Sequence, residues 1–242
     1  LDYGRVALED TLASLDAAGL PHAGAGADRH EAFAPAHVSV GGLDVAVLAA
    51  TDRAPAYAAG VSRPGTAFVP MLGDLVTESV AHLVLSGAIE TAREADPDLL
   101  VVSLHWGPNW ETRPPERYRR LARWLVDAGA DVVHGHSAHV PQGVERYHDG
   151  LIIHDAGDFV DDYALVGDLH NDRSFLFELA VEGGRPASLV LRPVEIADET
   201  VHLADEPAAA WLRERMRSLA APFGTGFERR GAALVCDLSP NS

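Results

Sequence analysis

The stretch Ala130-Asp131-Val132-Val133-His134-Gly135-His136-Ser137-Ala138-His139-Val140 sets a short apolar run directly against a cluster of histidines. Val132-Val133 reads as a buried strand. The strand is expected to stop at Gly135, where a residue without a Cβ lets the chain turn sharply. His134, His136 and His139 crowd that exit, and in α/β proteins the loops leaving the carboxyl ends of strands carry the chemistry. Neutral imidazole is the commonest protein ligand for zinc-like ions. His136 and His139, three apart, suit one metal ion or two adjacent ones. The plainer alternative is hydrogen-bonded surface histidines.

The same device occurs upstream. Asp98 to Leu104 is nearly continuous in apolar residues, the pattern of a central strand covered on both faces. It ends in His105-Trp106-Gly107-Pro108-Asn109-Trp110-Glu111. A helix, Pro115 to Ala128, separates the two segments, with Tyr118, Leu121 and Leu125 on its apolar face. Strand, His, Gly, helix, strand, His cluster: if the strands are parallel neighbours, both tips reach one edge of the sheet. The repetition strengthens the metal reading more than either segment alone.

The chain has 242 residues, 47% hydrophobic, with 22 glycines and one cysteine, Cys236. That length suits one α/β domain spanning 1–242 with an ample core, its residues 200–242 forming a helix and strand extension. A lone cysteine excludes an internal disulfide. The formal charge of −17 repels nucleic acid and anionic membranes at long range. An anionic substrate therefore needs local neutralisation, which a bound cation supplies. No apolar run is long enough to cross a bilayer. The chain opens on Leu1 without an initiator Met, and a helix pattern begins almost at once. This predicts a polypeptide truncated at its N-terminus. The stretch by itself leaves the compartment open between the cytoplasm and, with an anchor on a preceding segment, the cell envelope.

Helical periodicity covers Val6 to Ala18, Thr77 to Ala95 and Asp205 to Ala220. Gly24-Ala25-Gly26 reads as a turn, since two glycines lack the rest of a phosphate-binding loop. Val38 to Val40 and Asp44 to Thr51 form a strand pair. Arg53 to Leu72, rich in Pro, Gly and Ala, is long for a structureless connection and reads as a flap or a mobile surface loop. Gln142 to Tyr147 and Leu151 to His154 form a hairpin around Asp149-Gly150. Ser174 to Val181 and Ser188 to Val194 pair across Gly183-Gly184, and Ala232 to Leu238 is a last strand. Asp155, Asp158, Asp161 and Asp162 put four carboxylates within eight residues, an arrangement that favours solvent or a cation nearby.

Taken together, Leu104-His105-Trp106-Gly107, Ala128-Gly129-Ala130-Asp131-Val132-Val133, Gly135-His136-Ser137-Ala138-His139-Val140 and Gly157-Asp158-Phe159-Val160-Asp161 resemble the CapA family. These are poly-γ-glutamate capsule synthesis proteins, which are similar to calcineurin-like metallophosphoesterases. Asp2-Tyr3-Gly4, Asp10-Thr11-Leu12 and Gly24-Ala25-Gly26 fit as well. The resemblance implies a four-layer αββα sandwich with mixed sheets, here lacking its first strands, since the family's earlier Asp, Asn-Leu-Glu and Asn-Asn-His motifs precede the Asp-Tyr-Gly. It implies a divalent metal pair, Mn, Fe or Zn, held in part by His105, His136 and His139. The family's Gly-Asn-Phe is Gly157-Asp158-Phe159 here, which adds a carboxylate.

On this footing Asp158 and His134 are the catalytic candidates, orienting a histidine ligand or moving a proton. Asp2, Trp106, Asn109, Arg113, Asp155, Asn171 and Arg173 complete the candidate substrate-binding or supporting set, with Arg113 and Arg173 facing an anionic small molecule or polymer. The expected activity is metal-dependent hydrolysis of a phosphoester or amide bond. The alternative is a non-catalytic accessory in poly-γ-glutamate synthesis or export.

Overall fold

The computed structural model describes residues 3–71, 75–161 and 165–239. Its backbone contacts group into two units: residues up to Trp106 with Asp127–Ala130, and Gly107–Val126 with Asp131 onward.

In the first unit, α1 (Gly4–Ala17) buries only Leu8. β1 (Ala25–Gly26) leads into α2 (Arg29–Ala32), so Ala25-Gly26 is a short strand rather than the turn expected from its glycines. Asp28 caps α2 by accepting the Glu31 N–H at 3.0 Å, and Glu31 accepts the Ala27 N–H at 2.9 Å, a reciprocal pair that satisfies the helix's first donors. β2 (Ala36–Val40) lies antiparallel to β3 (Leu43–Thr51). β4 (Gly65–Thr66) pairs with β1, and α3 (Leu75–Arg93) presents Ala81, Leu85, Ala88, Ile89 and Ala92 to the core at helical spacing. β5 (Leu99–His105) runs parallel to β3, from Val45 opposite Leu99 to Thr51 opposite His105.

The segment after β3 is not the free flap or mobile loop that its composition predicts. A 3-10 turn at Pro55–Tyr57 and β4 interrupt it. Thr51 N donates to Ala67 O and Val69 N to Thr51 O, both at 2.9 Å, and Ala59, Ala67, Val69 and Met71 are buried. Small apolar residues let this irregular strand lie flat against the core.

In the second unit, α4 (Glu116–Asp127) buries Tyr118, Leu121, Ala122 and Leu125. β6 (Val132–His136) runs parallel to β8 (Gly150–Ile153), which pairs antiparallel with β7 (Val144–Tyr147). The hairpin loop is His148-Asp149, one residue earlier than expected, with His148 at φ +51°. Gly150 belongs to the strand, where a Cβ would stand 2.6 Å from Val126 Cγ1, so this glycine serves close packing under α4.

β9 (Arg173–Glu182) and β10 (Arg185–Ala197) form a long antiparallel hairpin. β11 (Thr200–Leu203) pairs with the end of β10. α5 (Glu206–Ala220) is capped by Asp205, which accepts the Ala208 N–H at 2.9 Å. β12 (Glu228–Arg230) pairs with β13 (Ala233–Asp237), and β13 pairs with the first half of β10. The architecture is α/β with mixed parallel and antiparallel sheets, as the sequence predicts. Among the described residues no helix is long and apolar enough to cross a membrane.

Candidate functional site

The site grows from the end of β6. Strand alternation puts His134 and His136 on one face, with ring centroids 5.5 Å apart. Gly135 lies inside the strand at an ordinary φ, so it is not the turn residue expected from the sequence. The chain turns instead at Ser137 (φ +139°) and His139 (φ +64°), both in the region that disfavours a side chain.

Contacts from other segments hold that turn. Ser137 Oγ donates to Gly107 O at 3.3 Å, and Trp110 N donates to Ala138 O at 3.0 Å. The Trp110 ring stacks on His139, centroids 4.8 Å apart at 27°. Buried Asp155 receives the Ala138 N–H on Oδ2 at 2.8 Å and the Gly157 N–H on Oδ1 at 2.9 Å. Gly157, at φ +76°, passes so close to Pro141 that a Cβ would lie 2.7 Å from the proline Cδ. Only glycine satisfies both demands.

This turn delivers Asp158 Oδ1 to within 2.9 Å of His139 Nδ1. Burial pushes the Asp158 carboxyl up, and the facing carboxyl of Asp161 together with Asp155 adds to it, to about 8. Burial also pushes His139 down, against the pull of Asp161, and pushes His134 down. Asp155 is driven up to about 7, because its burial outweighs the two N–H groups it accepts. Burial thus raises the carboxyl and lowers the imidazole that share this contact. A cation at the ring would favour the form in which Asp158 accepts from Nδ1–H. With Nδ1 bonded to Asp158, ligation or proton exchange falls to Nε2.

His134, His136 and Asp158 also line a cavity of about 330 Å³ whose other walls are Ala156, Gly157, Phe159, Phe175, Leu176 and Phe177. His105 closes β5 in the first unit, its carbonyl accepting from Thr51 Oγ1 at 3.1 Å. Among the described residues no group of three or more His, Cys, Asp or Glu side chains is arranged to hold a metal ion.

The other candidates fall in varied surroundings. Trp106 is buried in the first unit, and Asn109 and Arg113 are exposed. Asn171 is buried and accepts the Val166 N–H at 2.9 Å, a loop-holding role. Arg173 lies 3.7 Å from Glu195 and 5.4 Å over the Trp211 ring. Asp2 lies outside the described residues. Sequence reasoning did not assign Trp110, Asp161 or the phenylalanine walls to the site. Trp110 and Asp161 stood in stretches already singled out, whereas Phe175 and Phe177 carried only a strand pattern.

A largely buried network links α4, β7 and the residue that follows β8. His154 Nε2 is 3.0 Å from Glu145 Oε2, and Arg123 Nε donates to Glu145 Oε1 at 2.7 Å. Burial raises the Glu145 carboxyl, but the bonds from His154 and Arg123 outweigh it and hold it below its usual range. Burial holds His154 below its own.

Comparison with known proteins places these features in a family. The family described as "Bacterial capsule synthesis protein PGA_cap" matches residues 1–163. A "probable polyglutamine synthesis accessory protein" of Mycobacterium tuberculosis is 34% identical over 93% of this chain and 60% of its own length. The "Capsule biosynthesis protein CapA" of Bacillus anthracis is 32% identical over 66% of this chain and 38% of its own. The "PGA biosynthesis protein CapA" of Bacillus subtilis is 32% identical over 67% of this chain and 40% of its own. The chain thus spans about 60% or less of the length of these relatives. Its mixed α/β architecture agrees with the family's metallophosphoesterase-like fold, and this chain belongs to the bacterial capsule synthesis protein family.

Proposed function

We propose that this chain carries the reactive centre of a capsule-synthesis protein, hydrolysing a phosphoester or amide bond in poly-γ-glutamate or an anionic precursor. The observation that supports this most is the restraint on His139. A non-glycine residue at φ +64° is strained, and here it is gripped by Asp158 and stacked on Trp110. Strain of this kind, about 1–3 kcal/mol, persists where surrounding contacts over-determine it, and it clusters at working sites.

Asp158 orients the imidazole, and His139 Nε2 takes or returns a proton at the reacting group. His134 and His136 present two more imidazoles at the adjoining cavity. Imidazoles suit Mn, Fe or Zn, and in the second unit His136 and His139 are the residues that would contribute to holding such an ion. The described side chains do not complete such a site. The accessory-protein name of the mycobacterial relative favours a second reading, a non-catalytic role in polymer synthesis or export.

The test is hydrolysis of p-nitrophenyl phosphate, bis-p-nitrophenyl phosphate and γ-glutamyl amides, with and without added Mn, Fe or Zn. His139→Ala and His136→Ala are each expected to lower turnover by roughly 10²-fold or more. Undiminished turnover in both variants removes the site. Absent turnover in the wild type, with polymer yield in cells still dependent on His139, favours the accessory role.

A further inference from the structure

We propose that one flank of α4 and the segment leading into it, carrying Arg113, Arg117 and Arg120, form a docking track for a flexible polycarboxylate chain, gripped at several carboxylates at once beside the His139 site. The proposal rests on the reading of that site as a reactive centre for an anionic polymer, and it adds where and how the polymer is held.

Residues 113–123 hold five of the chain's 19 cationic residues, all arginine, against one acid, Glu116. Five arginines less one glutamate give this stretch a formal charge of +4 in a chain of −17. Tyr118, Leu121, Ala122 and Leu125 turn to the core. At about 100° per residue, Arg117 and Arg120 then share one flank of the helix, and Arg119 and Arg123 the other. The second pair is used within the fold. Arg119 bonds Glu116 at 2.9 Å and lies 5.0 Å over the Phe223 ring, and Arg123 bonds Glu145 at 2.7 Å. Arg113, Arg117 and Arg120 are exposed. Arg117 lies 4.9 Å over the Tyr118 ring, which restrains its side chain before any ligand arrives.

The track starts at the candidate site. Trp110, stacked on His139, comes three residues before Arg113, a separation of at most about 11 Å along the chain. Glu111, between them, is anchored by Gln142, whose side-chain amide donates to its carbonyl at 2.8 Å. The helix rises about 1.5 Å per residue, so Arg120 adds a cation about 4.5 Å beyond Arg117. Guanidiniums spaced along one flank suit a ligand that repeats a carboxylate, since each can donate two parallel bonds to such a group. The acidity of the rest of the chain does not forbid this, because exposed charges are screened beyond about 8 Å at physiological salt. A monomer meets one arginine and gains little. A polymer meets several, and each later contact forms at high effective concentration. An exposed pair worth about 1.5- to 5-fold in affinity becomes roughly 10-fold or more over three.

Fluorescence anisotropy of dye-labelled poly-γ-glutamate, recorded on mixing with the full chain, reads binding before turnover. The polymer is expected to bind at least ~10-fold more tightly than γ-glutamylglutamate, used as a competitor. The triple variant Arg113→Gln, Arg117→Gln, Arg120→Gln should weaken polymer binding roughly 10-fold or more. A control triple, Arg185→Gln, Arg229→Gln, Arg230→Gln, removes three exposed arginines elsewhere and makes the same change in net charge. It should alter binding less than about 2-fold, since those charges lie off the track. All six positions are exposed, and circular dichroism with an unfolding midpoint checks that each variant folds. Guanidinium also pairs with phosphate, so single-stranded DNA of matched charge is the second competitor. No binding of the polymer, equal binding of the dipeptide, equal losses in the two triple variants, or tighter binding of the DNA overturns the proposal. The hydrolase reading fails on a different result, turnover that survives loss of both His136 and His139.

Discussion

Asp155 accepts the Ala138 N–H at 2.8 Å, so the turn that leaves β6 is tied to the one that leaves β8. Its other carboxylate oxygen takes the Gly157 N–H, and its backbone carbonyl takes that of Gln142 at 3.0 Å. One buried side chain thereby sets the distance between His139 and Asp158. Removing it in Asp155→Ala leaves two buried N–H groups without an acceptor, at about 1–3 kcal/mol each. Loss of the acid's own burial cost offsets part of this, so the expected destabilisation is about 2 kcal/mol. Asp155→Asn keeps one acceptor and should lose less. Urea unfolding of the full chain measures both.

The same residue gives a pH dependence. Its carboxyl is pushed from 3.8 to about 7 by burial, so the folded state holds the proton more tightly than the unfolded chain. This contribution to stability is complete below about pH 4 and is lost as pH rises through about 7. The unfolding midpoint of Asp155→Asn should therefore fall less than that of the wild type over this interval. Equal slopes would show that the acid is ionised throughout.

The His154–Glu145–Arg123 network has the opposite sign. Burial holds His154 neutral, so its contribution is present above about pH 6.5 and is lost as pH falls and the unfolded chain takes up a proton. His154→Leu should flatten the acid side of the stability profile. Glu145→Ala leaves a buried imidazole and a partly exposed guanidinium without their acceptor, at about 2 kcal/mol. Thermal melts across about pH 5 to 8 test both.

Gly157→Ala combines a disfavoured φ with a Cβ 2.7 Å from Pro141 Cδ. The expected cost is about 1–3 kcal/mol. Because Asp158 is the next residue, turnover should fall more than stability does. Comparing kcat with the unfolding midpoint separates the two effects.

Trp110→Ala removes the stacking face of His139 without touching a reacting atom. A roughly tenfold fall in kcat with KM little changed is the expected result for a positioning residue, and Trp110→Phe should recover most of it. An unchanged kcat in Trp110→Ala would mean that the ring conformation of His139 does not depend on the stack.

Much of the fold was legible because its signals are local. The apolar runs at 98–104 and 132–133 and the helical stripes of α3 and α4 each act within a few residues of themselves. The histidines at the ends of β5 and β6 were legible for the same reason. The flap reading of the segment after β3 failed because small apolar residues look alike in a loop and in an irregular strand pressed on a core.

The amino-acid order by itself determined an acidic α/β chain whose strands end in histidines and which carries a Gly157-Asp158-Phe159 motif in an acidic stretch. Only the tertiary structure decided that the turn falls at Ser137 and His139 rather than Gly135. It also decided that Asp155 ties the loops, that Trp110 backs His139, and that Phe175 and Phe177 wall a cavity. Periodicity and turn propensity are properties of neighbours along the chain. These later features depend on contacts across about 20 to 40 intervening residues, and the free energy of such contacts has no local signature.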